Sequence, residues 1–440
     1  MKLLNRRHIM AGALAAAGAA IASCKPAAPQ NAANFVKRDG QAFTLGGKPY
    51  RFVGANIWYG AYLGAATAYG DRARLGRELD KLKSLGVTNL RILASSEEGP
   101  LKAGIKPGFR KDDVYNEDLF AGLDYCMAEL AKRDMKAVLY LTNFWEWSGG
   151  MMTYLYYKTG KFIDMNDPNH PWPEFADANT DFYRSEPAMM MYRDHVKTLV
   201  GRTNSITGRA YSDDPAIMAW QLCNEPRPGV TPDIMDRALP DYYDWIDETA
   251  ALIRSLDPNH LISLGQEGTA ASNGRSDVFI RAHENIDYVT AHIWPQNWGW
   301  VDGKNLEGTW ESGMKKVARY IAEHVDLAEQ LNKPLVFEEF GFPRDNEIYT
   351  PATATTYREQ FYGMIYQAVE KSVMIGGPVA GSNFWAWNGE ARTPHADFRF
   401  KPGDLNYMGD PPHEPQGWYG IFDTDAAMHA VIKTHAGRIA

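Results

Sequence analysis

Cysteine is nearly absent from this chain. Three residues in 440 are too few for a disulfide framework. They are Cys24, Cys126 and Cys223, and no Cys/His cluster has the spacing of a metal site. Positive charge is in deficit too: Asp and Glu number 54 against 46 Lys and Arg, a formal net charge of -8. That balance argues against nucleic acid or polyanion partners and fits a neutral substrate such as a polysaccharide. The chain contains no apolar run long enough for a permanent membrane span, no Gly-rich phosphate turn after the first candidate strand, and no internal repeat. It is rich in aromatics, with 13 Trp and 23 Tyr. Most of these are expected in the core, but flat aromatic faces also suit the apolar C–H faces of sugar rings.

The N-terminus reads as an address. A twin-arginine run, Asn5-Arg6-Arg7-His8-Ile9-Met10, precedes an Ala-rich apolar stretch from Ala11 to Ala22 and then Ile21-Ala22-Ser23-Cys24. This resembles a bacterial twin-arginine signal peptide (residues 1–23) ending in a lipoprotein box. Cys24 then becomes the lipidated first residue, and 24–33, rich in Pro and Ala, a tether. The expectation is an exported lipoprotein in the periplasm or at the cell surface, touching a membrane only through its lipid. An ordinary secretory signal with an incidental cysteine is the alternative. Cys126, in a helical pattern, and Cys223, in a strand, read as small buried hydrophobes.

Residues 34–440 read as one domain. A small hairpin occupies 34–49, turning at Asp39-Gly40 and Gly46-Gly47. Short apolar runs then recur at Phe52–Ala55, Thr88–Leu93, Ala137–Leu141, Ile217–Leu222, Leu261–Leu264, Tyr288–Ala291, Leu335–Phe337 and Ser382–Trp385. Between them, Leu75/Leu79/Leu82/Leu85, Leu119/Leu123/Met127/Leu130, Trp245/Thr249/Leu252/Leu256 and Phe361/Ile365/Val369 fall at helical spacing. Strands alternating with helices imply a parallel sheet, and eight of them predict a closed (β/α)8 TIM barrel. An open doubly wound sheet is the alternative. Segments near 145–190, 293–310 and 388–422 are long for barrel loops. All follow strands and so fall at the C-terminal face, where barrel enzymes do chemistry.

Two strands end in carboxylates. The run from Ile217 passes into Asn224-Glu225, where Pro226 stops it. Pro334-Leu335-Val336-Phe337 passes into Glu338-Glu339-Phe340-Gly341. A single Glu at a strand end is often a solvated residue or half of a loop ion pair. Two of them on strands four and seven of one barrel suit a bond cleavage that needs paired carboxyl groups. Alternation along a strand places Glu338 on the face opposite Glu339, where it supports the barrel.

Asn-Glu-Pro on strand four and Glu-Phe-Gly on strand seven resemble glycoside hydrolase family 5. The run from Asp213 to Arg227 is similar to the β-mannanase branch, as are Gly54-Ala55-Asn56, Asn143 to Gly150, Gly265-Gln266-Glu267-Gly268 and His292 to Trp298. The likeness covers nearly all of 45–390. It implies a retaining hydrolase of β-1,4-mannosidic bonds in mannan or mannooligosaccharides, internal cleavage first, with neither cofactor nor metal. By resemblance Glu225 is the acid/base and Glu339 the nucleophile. Asn224 binds the sugar 2-hydroxyl, Arg91 lies beneath the nucleophile, His292 lies near the acid/base, and Arg227 contacts the leaving-group side. Trp385 is the aromatic floor under the cleaved sugar, with Trp387 as rival. Trp145, Trp294 and Trp298, on rim loops, are stacking platforms or loop packing. The mechanism further requires Glu225 to have the raised pKa, and a fixed charge at Arg91 separates the pair in that sense.

The sequence departs from the family in two places. Trp294 stands where the family has a Tyr that bonds the nucleophile, and the usual strand-three His has no match near Asn143-Phe144. Three rival functions remain: an exo-acting β-mannosidase or mannobiohydrolase, with 151–188 walling off the cleft; a β-1,4-glucanase; and a non-catalytic carbohydrate-binding lipoprotein.

Overall fold

The computed structural model describes residues 34–440; the expected signal peptide, tether and Cys24 lie outside them. Eight parallel strands form the barrel: β1 Phe52–Asn56, β2 Val87–Leu93, β3 Lys136–Tyr140, β4 Ile217–Gln221, β5 Leu261–Ser263, β6 Val289–Ile293, β7 Leu335–Phe340 and β8 Val379–Phe384. They pair in the order β5-β4-β3-β2-β1-β8-β7-β6, and a parallel bridge between Ser263 and Tyr288 joins β5 to β6. Each strand is followed by a helix: α1 Arg72–Ser84, α2 Glu117–Lys132, α3 Glu186–Val200, α4 Pro232–Leu256, α5 Ser276–Ala282, α6 Leu306–Leu331, α7 Thr356–Ile375 and α8 Ala426–Ile439. The closed barrel is therefore the fold.

Local chemistry sets the helix ends. Asp71 caps α1 by accepting from the Arg74 amide at 2.8 Å, and Asn116 caps α2 through the Asp118 amide at 3.1 Å. The expected leucine stripes are the buried faces, Leu75, Leu79 and Leu82 on α1 and Leu119, Leu123 and Leu130 on α2. Cys126 is buried on α2; Cys223 is buried too, but two residues beyond the end of β4 rather than within it. Three antiparallel strands at Val36–Asp39, Ala42–Leu45 and Lys48–Tyr50 replace the simple hairpin. Their Val36 and Phe43 pack with Phe52, Val138, Met218 and Val336 to fill the N-terminal end of the barrel.

The segment after β3 is less irregular than a loop. It holds helices at Gly150–Thr159, Glu174–Asn179 and Asp181–Arg184. Their aromatic-rich sequence lacks the leucine period of α1 and α2, so periodicity alone does not show them.

Two backbone details prepare the site. The β6–β7 register steps from Ala291 opposite Phe337 to His292 opposite Glu339. Glu338 is thus a bulge residue, and alternation fails there. On β1, a Cβ at Gly54 would lie 2.1 Å from Asn383 Nδ2 and 2.9 Å from the Asn89 carbonyl. The missing side chain lets Asn383 cross to donate to Asn89 Oδ1 at 3.0 Å. Gly54→Ala is expected to destabilise the fold by roughly 1–3 kcal/mol through this overpacking, read as a lower urea midpoint with an unchanged slope.

Candidate active site

Arg91, wholly buried on β2, is the centre of the barrel's upper layer. Its Nε donates to Gln221 Oε1 at 2.8 Å, its Nη2 to Asn224 Oδ1 at 2.6 Å and its Nη1 to Asn56 Oδ1 at 3.2 Å. The same Nη1 pairs with Glu339 Oε1. Glu338 lies on this inner side too, contrary to the alternation argument. Its Oε2 accepts from Gln221 Nε2 at 2.6 Å and lies 3.6 Å from Arg91 Nε. The bulge turns both carboxylates toward one guanidinium.

Glu225 leaves β4 with φ of 52°, a costly backbone state for a non-glycine residue. Its amide donates to the Gly265 carbonyl at 2.9 Å, and the Asn224 amide donates to Thr142 at 2.9 Å. These bonds to β5 and β3 hold the turn. The Glu225 carboxylate accepts from Trp145 Nε1 at 2.5 Å and lies 2.6 Å from His292 Nδ1. His292 Nδ1 is 3.4 Å from Glu339 Oε2. One oxygen of each carboxylate and an imidazole nitrogen lie within 4.8 Å of one another, far closer than the roughly 6.5–9.5 Å that leaves room for an attacking water.

Glu225, His292 and Glu339 form the one group of three close potential metal donors among the described residues. They do not fit a resident cation: Arg91 already sits on Glu339, and the flanking carboxylates favour a charged imidazole between them rather than a free ligand nitrogen. Burial opposes charging of His292, but the surrounding charge of Glu339 and the contacts with Glu225 and Glu338 raise it to about 10.

The carboxylate order is the reverse of the one expected. Burial acts to raise Glu225, yet the His292 hydrogen bond and charge, with Arg227 and Trp145, hold it below its ordinary value. Two influences conflict at Glu339. The charges of His292 and Arg91 pull its carboxyl down; burial, with the like charges of Glu225 and Glu338, pushes it up to about 7. Burial prevails here because Arg91 divides its charge between two carboxylates.

These groups line a cavity of about 420 Å³. Every catalytic and sugar-binding residue assigned from the family resemblance or as a rim tryptophan reaches this region, whereas Cys24 lies outside the described residues. Asn224, Arg227, Trp145, Trp294, Trp298 and Trp385 line the cavity with the two glutamates, and Arg91 and His292 lie directly behind it. Trp387 is wholly buried outside the cavity wall. Trp294 packs against Trp385 at 5.9 Å and Tyr419 at 5.2 Å, and among the described residues no hydrogen bond joins it to Glu339. Where the strand-three His is missing, Asn143 Oδ1 accepts from Asn224 Nδ2 at 3.0 Å, so it orients Asn224 from the same strand.

Sequence reasoning missed Glu267, Trp147, Trp172, His413 and Glu414, all of which line the cavity. Glu267, after β5, pairs with Arg227; burial, against the Arg227 charge, raises it to about 7. Its place at a strand end was the available signal. His413 and Glu414 had none, because they arrive on the long segment after β8. Burial and the charges of Asp410, Glu339 and Glu225 push the Glu414 carboxyl well up.

The chain is similar to known proteins in sequence and fold. Residues 33–440 match the family model described as GH family 5 beta-mannosidase-like. A rice (Oryza sativa subsp. japonica) protein, provisionally named mannan endo-1,4-beta-mannosidase 9, is 32% identical over 384 residues, covering 84% of this chain and 86% of its own. The crystal structure of a family 5 mannosidase from Rhizomucor miehei is 33% identical with TM-score 0.83, over 93% of this chain and 98% of that one. An endo-1,4-beta-mannanase from the same organism has TM-score 0.67 at 23% identity, over 92% and 99%, a likeness of fold.

Replacing Arg91 tests its place at the centre. Arg91→Met leaves Glu338 and Glu339 buried with only the His292 imidazolium, at 3.8 and 3.4 Å, as a nearby positive charge, and a loss of roughly 3–5 kcal/mol is expected at pH 7. Uncompensated burial raises a carboxyl above its unfolded value, so the folded variant binds protons more readily than the unfolded chain. The deficit therefore shrinks as pH falls toward the unfolded carboxylate pKa. Urea unfolding at pH 7 and pH 5 reads both; an equal deficit at the two values removes the electrostatic account.

Proposed function

The chain belongs to glycoside hydrolase family 5, and from that premise we propose that it hydrolyses β-1,4-mannosidic bonds of mannan and mannooligosaccharides with retention of configuration. The observation that carries this reading is the spacing of Glu225 and Glu339. Oxygens within 4.8 Å suit direct attack by one carboxylate while the other protonates the leaving oxygen, since retaining pairs stand about 5–5.5 Å apart.

Glu339 attacks the anomeric carbon as the glycosidic C–O bond breaks. Glu225 gives its proton to the leaving oxygen. Water then cleaves the glycosyl ester, with Glu225 taking the water's proton. The proton for the first step is close by on His292, 2.6 Å from Glu225. Seating a neutral sugar between the carboxylates withdraws Glu225 further from water, which favours its neutral form. Arg91 stabilises the Glu339 anion as the proton moves. Asn224, held by Arg91 and Asn143, is placed to bind the 2-hydroxyl, and Trp385 supplies the floor.

A specific feature favours the second reading, attack at chain ends, over internal cleavage. Pro411, His413 and Glu414 bring the post-β8 segment into the cavity wall beside Glu339 and Trp385. A wall there shortens the glycone side. The mannosidase likeness supports this reading, and the plant relative's name supports internal cleavage. Export through the leader at 1–23 and anchoring through Cys24 belong to the same proposal. They rest on the sequence pattern, and labelling with a radioactive fatty acid in wild type but not Cys24→Ala tests them.

The chemistry is tested by Glu339→Ala, which should abolish turnover of mannotriose while binding persists, and by Glu225→Ala, which should lower kcat by roughly 10²–10⁴-fold. Products from β-1,4-mannohexaose decide the mode. Mannose or mannobiose alone from the start indicates chain-end attack, a spread of larger products indicates internal cleavage, and preference for cellohexaose refutes the substrate. Trp145→Phe tests the proton balance. Losing the Nε1–H donor destabilises the Glu225 anion and raises its pKa. The acid form then survives to higher pH, so the basic limb of kcat/KM should move upward; an unmoved limb refutes the assignment.

A further inference from the structure

Two buried carboxyl groups lie outside the cavity wall and take no part in the chemistry above. Glu97 follows the end of β2, and Glu146 stands next to Trp145. Each rests one oxygen on a backbone amide. Glu97 Oε2 accepts from Gly150 at 2.7 Å, and Glu146 Oε1 accepts from Met165 at 3.2 Å. The second oxygen of each, Glu97 Oε1 and Glu146 Oε2, is buried without a hydrogen-bond partner among the described residues.

The surroundings supply no counter-charge. Tyr62, Tyr154, Tyr157 and Cys223 face Glu97, and all are neutral side chains. The cation nearest it, Arg110, spends its donors on the Met191 carbonyl at 2.7 Å and the Asp112 carbonyl at 2.5 Å. Glu146 faces Asp164, a group of like sign. A buried carboxylate with an unpaired oxygen is costly, whereas the neutral acid keeps its bond to the amide and sheds the charge. Burial accordingly raises both groups to about 7.

The two amide bonds close on one stretch of chain. The Glu97 amide also donates to the Ser148 carbonyl at 3.0 Å. The turn after Trp145 is thus pinned to the rim of β2 on one side and to Met165 on the other. Trp145 Nε1 donates to Glu225, and the Trp145 amide donates to Asn143 Oδ1 at 3.0 Å, the same oxygen that receives Asn224. Trp147 and Met165 carry the stretch into the cavity wall.

We propose that Glu97 and Glu146 are positioning residues which, as neutral carboxyls, fix the segment from Trp145 to Met165 and with it the indole donor to Glu225. They touch neither the sugar nor the reacting atoms. The catalytic consequence rests on the hydrolase reading above; the structural one does not. A carboxyl raised in the folded state contributes stability that is complete below its unfolded value and is lost as pH rises through about 7. The segment is therefore locked in acid and loosened above neutrality.

Hydrogen–deuterium exchange reads the lock without substrate. After correction for intrinsic rates, amides of 145–165 should exchange at least about tenfold faster at pH 8 than at pH 5, the change that one pKa unit carries, while β4 stays protected. Glu97→Gln/Glu146→Gln keeps both acceptors and removes the charge, so the rise should vanish. On mannotriose, the ratio of kcat/KM at pH 8 to that at pH 5 should then exceed the wild-type ratio several-fold, through kcat rather than KM. Glu97→Ala removes an acceptor and should loosen the segment at both pH values. Equal exchange at the two pH values in the wild type, or an undiminished rise in the double Gln variant, overturns the proposal. An unchanged kcat/KM ratio overturns the link to Glu225. A wild type that cleaves no mannoside overturns the hydrolase reading, and the exchange result then decides the positioning by itself.

Discussion

Arg91 carries a fixed charge into the wholly buried centre of the barrel, and the upper layer is arranged around that fact. A guanidinium without partners there would cost many kcal/mol. Its five partners come from three other strands: Asn56 on β1, Gln221 and Asn224 at β4, and the two glutamates on β7. Each partner is oriented by the same ion. Gln221 in turn donates to Glu338, and Asn143 donates nothing to this ring but receives Asn224. The layer is a polar network inside an apolar shell, and such networks rigidify when every member is satisfied.

The network also explains why the two chemical carboxylates are unlike. Glu225 faces donors that carry hydrogens toward it, the Trp145 indole and His292. Glu339 shares its cation with Glu338 and meets His292 only at 3.4 Å. Burial alone would raise both; the difference in donors lowers one and leaves the other high. A site with one mobile proton among Glu225, His292 and Glu339 can change which carboxylate is neutral for small changes in surroundings. That property suits a reaction in which one residue acts first as acid and then as base.

The eight strands were legible because each is a short apolar run bounded by turn residues, and buried parallel strands leave that mark without tertiary help. The leucine stripes on α1 and α2 were legible for a similar reason. The helices at Gly150–Thr159 and Glu174–Asn179 were not, since their buried faces are Met, Tyr and Phe without a clean period. Asn224-Glu225 and Glu339 were legible as carboxylates at strand ends. Glu267 shared that position and was passed over. His413 and Glu414 were beyond reach because 388–422 has no periodicity to say where it returns.

The sequence by itself determined the barrel and the two glutamates at its rim, because strand-end positions follow from local apolar patterning and chain order. The tertiary structure alone decided three things: that Glu338 turns inward beside Glu339, that Glu225 is the more acidic of the pair, and that the post-β8 segment walls the cavity. The first depends on the register between β6 and β7, and the second on which donors from β3 and β6 meet one carboxylate. The third depends on where a long segment packs. Each is a relation between residues far apart in the chain, and no local pattern encodes it.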